Sequence, residues 1–180
     1  MSGDDRQRWD QRYADLGLAP LDIEPLPVFD HCEDLFPTTG SALEIACGRG
    51  RGAVWLASRG MTVLASDVSP VAIELAEQHA AASDVADRCE FAVWDLDDGL
   101  PPSEPVNLVL CHLFREPGLD QAMIDRLVPG GLLAIACLSE VGHGPGNFRA
   151  KPGELATAFA ALDMLDAGEA DGHAWFVGRR

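Results

Sequence analysis

Between residues 44 and 53 the chain reads Glu44-Ile-Ala-Cys-Gly48-Arg-Gly50-Arg-Gly52-Ala53. An apolar run at 42–47 opens into alternating glycines, and a helix-forming stretch occupies 53–58. Glycines let a backbone turn sharply and approach a neighbour with no side chain between. A strand that ends in such a turn and re-enters a helix predicts the first unit of a layered α/β sheet.

The unit then recurs along the chain. Residues 61–65 read as a strand, and Ser69-Pro70 starts a helix to about residue 82, with serine as cap and proline in the first turn. Further strands are expected at 90–94, 106–111 and 132–138, with a helix at 119–127 between the last two. Short connections of this kind imply right-handed crossovers and a parallel sheet. The end differs: apolar runs at 162–167 and 174–177 flank a turn containing Asp171-Gly172, which predicts an antiparallel hairpin. Ahead of the sheet, Trp9, Tyr13 and Leu16 mark an amphipathic helix over 4–16, and a second helix is expected through Val28, Phe29 and Leu35. One domain of 180 residues is expected: a helical cap at 1–40, a core at 41–138, and a loop, helix and closing hairpin at 139–180.

Charge and cysteine usage exclude several function classes. The formal net charge is −16, and only dispersed arginines and Lys151 oppose it, so a phosphate backbone is repelled and a nucleic-acid partner is not expected. The longest apolar stretch, 127–138, is interrupted by Pro129, Gly130 and Gly131 and falls short of the ~20 residues of a membrane span. No signal peptide is visible. Five scattered cysteines without a CxxC pair support neither disulfides nor a zinc site, so no metal is assigned and a reduced, cytoplasmic protein is expected.

The glycine loop alone admits two chemistries. The helix after it presents free N–H groups and a positive dipole end, which suit a carboxylate as well as a phosphate. Gly48, Gly50 and Ala53 satisfy the G-x-G-x-x-G/A pattern of dinucleotide binders, and Asp67 sits at the spacing of a ribose-binding acid. A dinucleotide-dependent oxidoreductase therefore stays open. Three features separate the readings: Glu44 inside the strand end, Asp95 after the third strand in Trp94-Asp95-Leu96, and Leu127-Val-Pro-Gly130-Gly131-Leu132 entering the fifth. In this order they resemble the class I S-adenosylmethionine-dependent methyltransferase family over residues 41–138. The start Trp9-Asp-Gln-Arg12-Tyr13 looks most like its small tellurite-resistance and thiopurine type.

The resemblance implies a Rossmann-like, doubly wound, mostly parallel sheet with a C-terminal antiparallel hairpin, and S-adenosyl-L-methionine as cofactor. It also implies roles. Glu44 would help hold the methionine end, with Ala46, Cys47 and the Gly48–Gly50 backbone against methionine and ribose; Tyr13 is placed with them. Asp67 would accept from both ribose hydroxyls, Val68 would pack on adenine, and Asp95 with the Leu96 backbone would pair with the adenine edge. Cys111 would line the methionine end. Ala46 departs from the family pattern, which has glycine there.

Methyl transfer from a sulfonium needs alignment and dryness more than a catalytic dyad. No catalytic residue is therefore assigned, and a small-molecule acceptor is expected. Its contacts are sought at the strands' carboxyl ends: His112 with Phe114 and Arg115, His143 with Phe148 and Arg149, and Trp9. The glycine-rich segment 140–152 is either a lid over the acceptor, with Arg149 steering an anion, or an ordinary surface loop. A non-catalytic S-adenosylmethionine-binding protein is the remaining alternative.

Overall fold

The computed structural model of the chain describes residues 3–21, 23–142, 144–146 and 148–180, with side chains from Arg6 onward. Among these residues eight strands form one sheet: β1 (Ser41–Ile45), β2 (Thr62–Asp67), β3 (Cys89–Val93), β4 (Val106–His112), β5 (Leu127–Ser139), β6 (Arg149–Ala150), β7 (Asp163–Ala170) and β8 (His173–Arg179). Their order is β3-β2-β1-β4-β5-β8-β7, with β6 paired to β5 off this path. Neighbours from β3 to β5 are parallel, and β8 is antiparallel to both β5 and β7. The sheet is therefore mostly parallel and closes on an antiparallel hairpin. Its turn residues Asp171 (φ 50°) and Gly172 (φ 77°) both have positive φ, the geometry that suits tight hairpins.

The central strands are apolar on both faces because helices cover both. Along β4, Leu108 and Leu110 face one core and Val109 and Cys111 the other; along β5, Leu132, Ala134 and Ala136 alternate with Leu133, Ile135 and Cys137 in the same way. The first face is covered by α2 (Arg51–Ser58), α3 (Pro70–Ala82) and the segment around Phe29 and Phe36; the second by α4 (Asp120–Arg126) and α5 (Glu154–Ala158). Ser69 caps α3 as the sequence predicts, its Oγ accepting from the Ala72 N–H at 3.1 Å, with Pro70 next. No described helix is long and apolar enough to cross a membrane.

Three elements differ from the sequence-based expectation. The second N-terminal helix is a 3-10 helix, Pro27–Leu35, broken at Cys32 (φ −129°, ψ 22°). β5 begins at Leu127 rather than Leu132, but its register with β4 shifts between Val106 and Leu108, where Val-Pro-Gly-Gly at 128–131 intervenes and proline removes a donor. Residues 149–150 leave the expected loop to pair with β5.

α1 (Gly3–Leu16) packs across α3 and is tied down by polar links. Asp10 accepts from Ser69 Oγ, and Arg49 donates to the carbonyls of Gly17 (2.9 Å) and Leu18 (3.0 Å). Helix ends leave such carbonyls unsatisfied, and an arginine is suited to them.

Gly50 holds α2 against α3. It stands at φ 76°, and a Cβ there would lie 2.8 Å from Ala76 Cβ and 3.2 Å from Ala76 Cα. Gly50→Ala adds left-handed strain to this overlap, and both effects are of order 1–2 kcal/mol. The variant is expected to lose about 2–4 kcal/mol of stability, read as a Tm lowered by roughly 5–15 °C.

Candidate functional site

A cleft of about 440 Å³ opens at the carboxyl ends of β1, β2 and β4, beside the point where strand order reverses between β1 and β4. Open α/β sheets bind ligands at such points, because connections there leave in opposite directions and part. Of the residues expected from sequence, Glu44, Ala46, Cys47 and Gly48 line it from β1 and its loop. Asp67 and Val68 come from the end of β2, Leu96 from the turn after β3, His112 from β4, and Trp9 and Tyr13 from α1. Phe114 and Phe148 line it as well.

Two buried carboxylates define its polar wall. Asp67 Oδ2 accepts from the Gly48 N–H at 2.9 Å and Oδ1 from the Ser69 N–H at 3.0 Å, which pins the glycine loop to the start of α3. Each carboxylate oxygen can accept again, so Asp67 keeps capacity toward the cleft. Glu44 is 3% exposed, and its Oε2 is buried without a hydrogen-bond partner. Room for its carboxyl comes from Gly52, where a Cβ would overlap Glu44 Oε1 and come within 2.8 Å of Leu110. Gly52 was not among the residues expected at the site. Its signal in the sequence is a glycine inside a helix, where glycine is unfavourable.

Burial pushes the Glu44 carboxyl up to about 8; the Ala53 amide pulls it back in part, while the Asp67 charge adds to the rise. Asp67 is raised by burial too, against the hydrogen bonds it accepts. His112 is held down to about 4 by burial, with His173 and Arg51 adding repulsion, so its ring is neutral at pH 7.

The remaining wall is aromatic. Tyr13 stacks on Trp9 at 5.7 Å, Trp9 meets Phe148 at 6.4 Å, and Phe148 meets Phe114 at 5.5 Å, forming a continuous series along the cleft. Among the described residues, five besides glycines have positive φ, and three of them (Ala46, Leu113 and Phe148) line the cleft. Backbone strain of this kind concentrates at ligand sites. No sequence pattern marks Leu113 or Phe148 as left-handed.

Five expected residues fall outside the lining. Gly50 serves helix packing. Asp95 turns its carboxylate to the Asp97 N–H (3.0 Å) and caps the turn at 96–98, while its neighbours Trp94 and Leu96 face the cleft. Cys111 is 1% exposed and sits in the core, its Sγ 3.4 Å from the Phe114 carbonyl. Arg115 is clamped by Asp120 at 2.6 and 2.9 Å and by Glu154 at 2.7 Å, joining β4's exit to α4 and α5. Arg149 donates to the Ser139 carbonyl at 2.8 Å within the β5–β6 pairing. The arginines that do line the cleft are Arg12, Arg49 and Arg51. His143 lies outside the described residues.

This geometry has two measurable outcomes. Ala46 sits at φ 51°, so Ala46→Gly relieves roughly 1–2 kcal/mol of left-handed strain against about 0.5–1 kcal/mol of added unfolded-state entropy. Denaturant titration is expected to show equal or higher stability, where a typical alanine-to-glycine change lowers it. The Glu44 pKa is higher folded than unfolded, so the stability it contributes is full below pH about 4.5 and is lost as pH rises through about 8. Glu44→Gln carries no such titration. Between pH 5 and 8.5 the native chain is expected to lose at least about 1 kcal/mol relative to the variant, measured by urea midpoints.

Comparison with known proteins agrees with this architecture. The family described as a methyltransferase domain matches residues 42–131, half of the 180-residue chain. A 2-heptyl-1-hydroxyquinolin-4(1H)-one methyltransferase of Mycobacteroides abscessus is 31% identical over 119 residues, 59% of this chain and 49% of the relative. A tRNA 5-carboxymethoxyuridine methyltransferase of Escherichia coli is 32% identical over 108 residues, 57% of this chain and 41% of the relative. The chain thus spans half or less of the length of these curated relatives. Among solved structures, TehB from Haemophilus influenzae superposes with a TM-score of 0.72 at 18% identity, over 85% of this chain and 61% of that one. The DhpI–SAH complex gives 0.69 at 19%, over 97% and 93%. Fold, cleft and family match agree: the chain belongs to the class I S-adenosylmethionine-dependent methyltransferase family.

Proposed function

We propose that the chain binds S-adenosylmethionine in this cleft and transfers its methyl group to a small, flat, largely apolar acceptor. The observation that carries the reading is the buried, unpartnered Oε2 of Glu44 at the cleft wall. A buried carboxyl oxygen without a donor is unfavourable, and a cationic ligand bearing N–H groups offsets that. The residues present fit the cofactor: Glu44 and the Gly48 loop would hold its amino-acid end, and Asp67 would accept from the ribose hydroxyls. Val68, Trp94 and Leu96 would form the apolar bed of the adenine.

The bound cofactor supplies an activated methyl carbon on a sulfonium centre. Everything else is alignment and exclusion of water by the chain. The Tyr13–Trp9–Phe148–Phe114 series offers a planar acceptor a stacking surface and keeps the cleft dry. Neutral His112 can accept a hydrogen bond from an acceptor hydroxyl, thiol or amine and orient it. With so low a pKa, it is a poor general base at pH 7. The hydroxyquinolone named for one relative is an acceptor of this shape. The tRNA named for the other is disfavoured by the net charge of −16, which repels a phosphate backbone.

Asp67→Asn tests the cofactor site. It keeps one acceptor for the backbone but loses charge, and S-adenosylhomocysteine affinity is expected to fall about 10- to 100-fold by calorimetry while circular dichroism stays native. Unchanged affinity would remove Asp67 from the site, and an equal Tm rise with NAD would point to a dinucleotide enzyme instead. For the acceptor, labelled methyl transfer is expected to hydroxylated or thiolated heteroaromatics and not to tRNA. Transfer to tRNA alone would overturn the small-molecule reading.

A further inference from the structure

Away from the cleft, side chains of the 3-10 helix Pro27–Leu35 meet the β7–β8 hairpin, where His31, Cys32 and Asp166 come together. One nitrogen, one sulfur and one oxygen from these side chains all lie within 4.8 Å of one another. His31 Nε2 is 2.8 Å from Asp166 Oδ2. None of the three lines the cleft.

Two separate irregularities produce this meeting. The 3-10 helix is broken at Cys32, whose φ of −129° and ψ of 22° are not helical. In the hairpin, Met164 pairs with Gly178 and Asp166 with Val177, leaving Leu165 as an extra residue. Such a bulge re-aims the side chain beside it. Asp166 then receives the Trp175 indole N–H at 2.7 Å, and the His31 ring stands edge-on to Trp175 at 5.6 Å. The His31 and Trp175 contacts both fall on Asp166 Oδ2, which leaves Oδ1 as the carboxylate's further acceptor, and the indole donor fixes the orientation of the group.

We propose that His31, Cys32 and Asp166 bind a divalent transition metal of the zinc class, with a further coordination position open to solvent. Imidazole, thiolate and carboxylate together suit a borderline-soft ion. Ligand atoms about 2.0–2.3 Å from a tetrahedral ion are roughly 3.3–3.8 Å apart. The present spacing therefore needs only small side-chain shifts, and His31, with half of its side chain exposed, is able to make them. Asp30 and Asp34 on the same helix add negative charge that draws cations, while Glu33 is taken up by its ion pair with Arg59. The ion would clasp the segment at 27–35 to the hairpin at the far end of the chain. Residues 135 positions apart leave no spacing motif, which is why the sequence supports no metal site.

Cobalt(II) is the probe. Titrated into the reduced, chelator-treated full chain, it is expected to give one equivalent of a thiolate-to-cobalt absorption band, displaced by zinc. Cys32→Ser, an exchange of one atom, is expected to abolish the band. His31→Ala and Asp166→Asn are expected to weaken binding at least 10-fold, and zinc is expected to raise the Tm of the native chain alone. No band, or a band that persists in Cys32→Ser and so belongs to another cysteine, overturns the proposal. If Cys32→Ser does not fold, the other two variants decide: loss of the band supports the site and retention overturns it.

Discussion

The Asp67 carboxylate joins three parts of the chain: β2, which carries it, the glycine loop through Gly48, and the start of α3 through Ser69. Its two acceptor oxygens fix the mouth of the cleft before any ligand arrives. Burial opposes the charge and the backbone donors favour it. Glu44 is the less satisfied counterpart, with one carboxyl oxygen buried and unpartnered. One carboxylate thus shapes the site, and the other is held there at the expense of stability. Local rules broken at one place and compensated elsewhere mark functional positions.

The polar wall is set on a sheet whose own logic is simple. Helices on both faces make the central strands apolar throughout, and short connections make them parallel. The same periodicity carries through to β5, so the fold class, the capped start of α3 and the closing hairpin were legible in the residues themselves. The glycine loop was equally legible because its glycines cluster. Their separate tasks were not: Gly50 makes room for Ala76, and Gly52 for Glu44.

What the sequence concealed are pairings between distant residues. Arg115 looks like an anion-steering group until Glu154, 39 positions on, closes on it with Asp120. Arg149 looks similar until β6 pairs with β5 and the Ser139 carbonyl takes its guanidinium. Cys111 obeys strand parity: it faces the same core as Val109, not the cleft. Asp95, expected at the adenine edge, gives its carboxylate to the Asp97 N–H of the turn that follows it. The resemblance that located the cleft did not decide how each side chain was used.

The N-terminal helix shows how the two levels connect. α1 contributes Trp9 and Tyr13 to the cleft and packs across α3, although its own sequence is strongly polar. Its position depends on polar links: Asp10 on Ser69, and Arg49 on the carbonyls that end the helix. Both anchors belong to the segments Asp67 joins, since Ser69 donates its N–H to Asp67 and Arg49 is the residue after Gly48. The aromatic wall is therefore registered to the polar wall through one carboxylate. A change at Asp67 would reach the aromatic wall of the cleft as well as the polar wall, through α1.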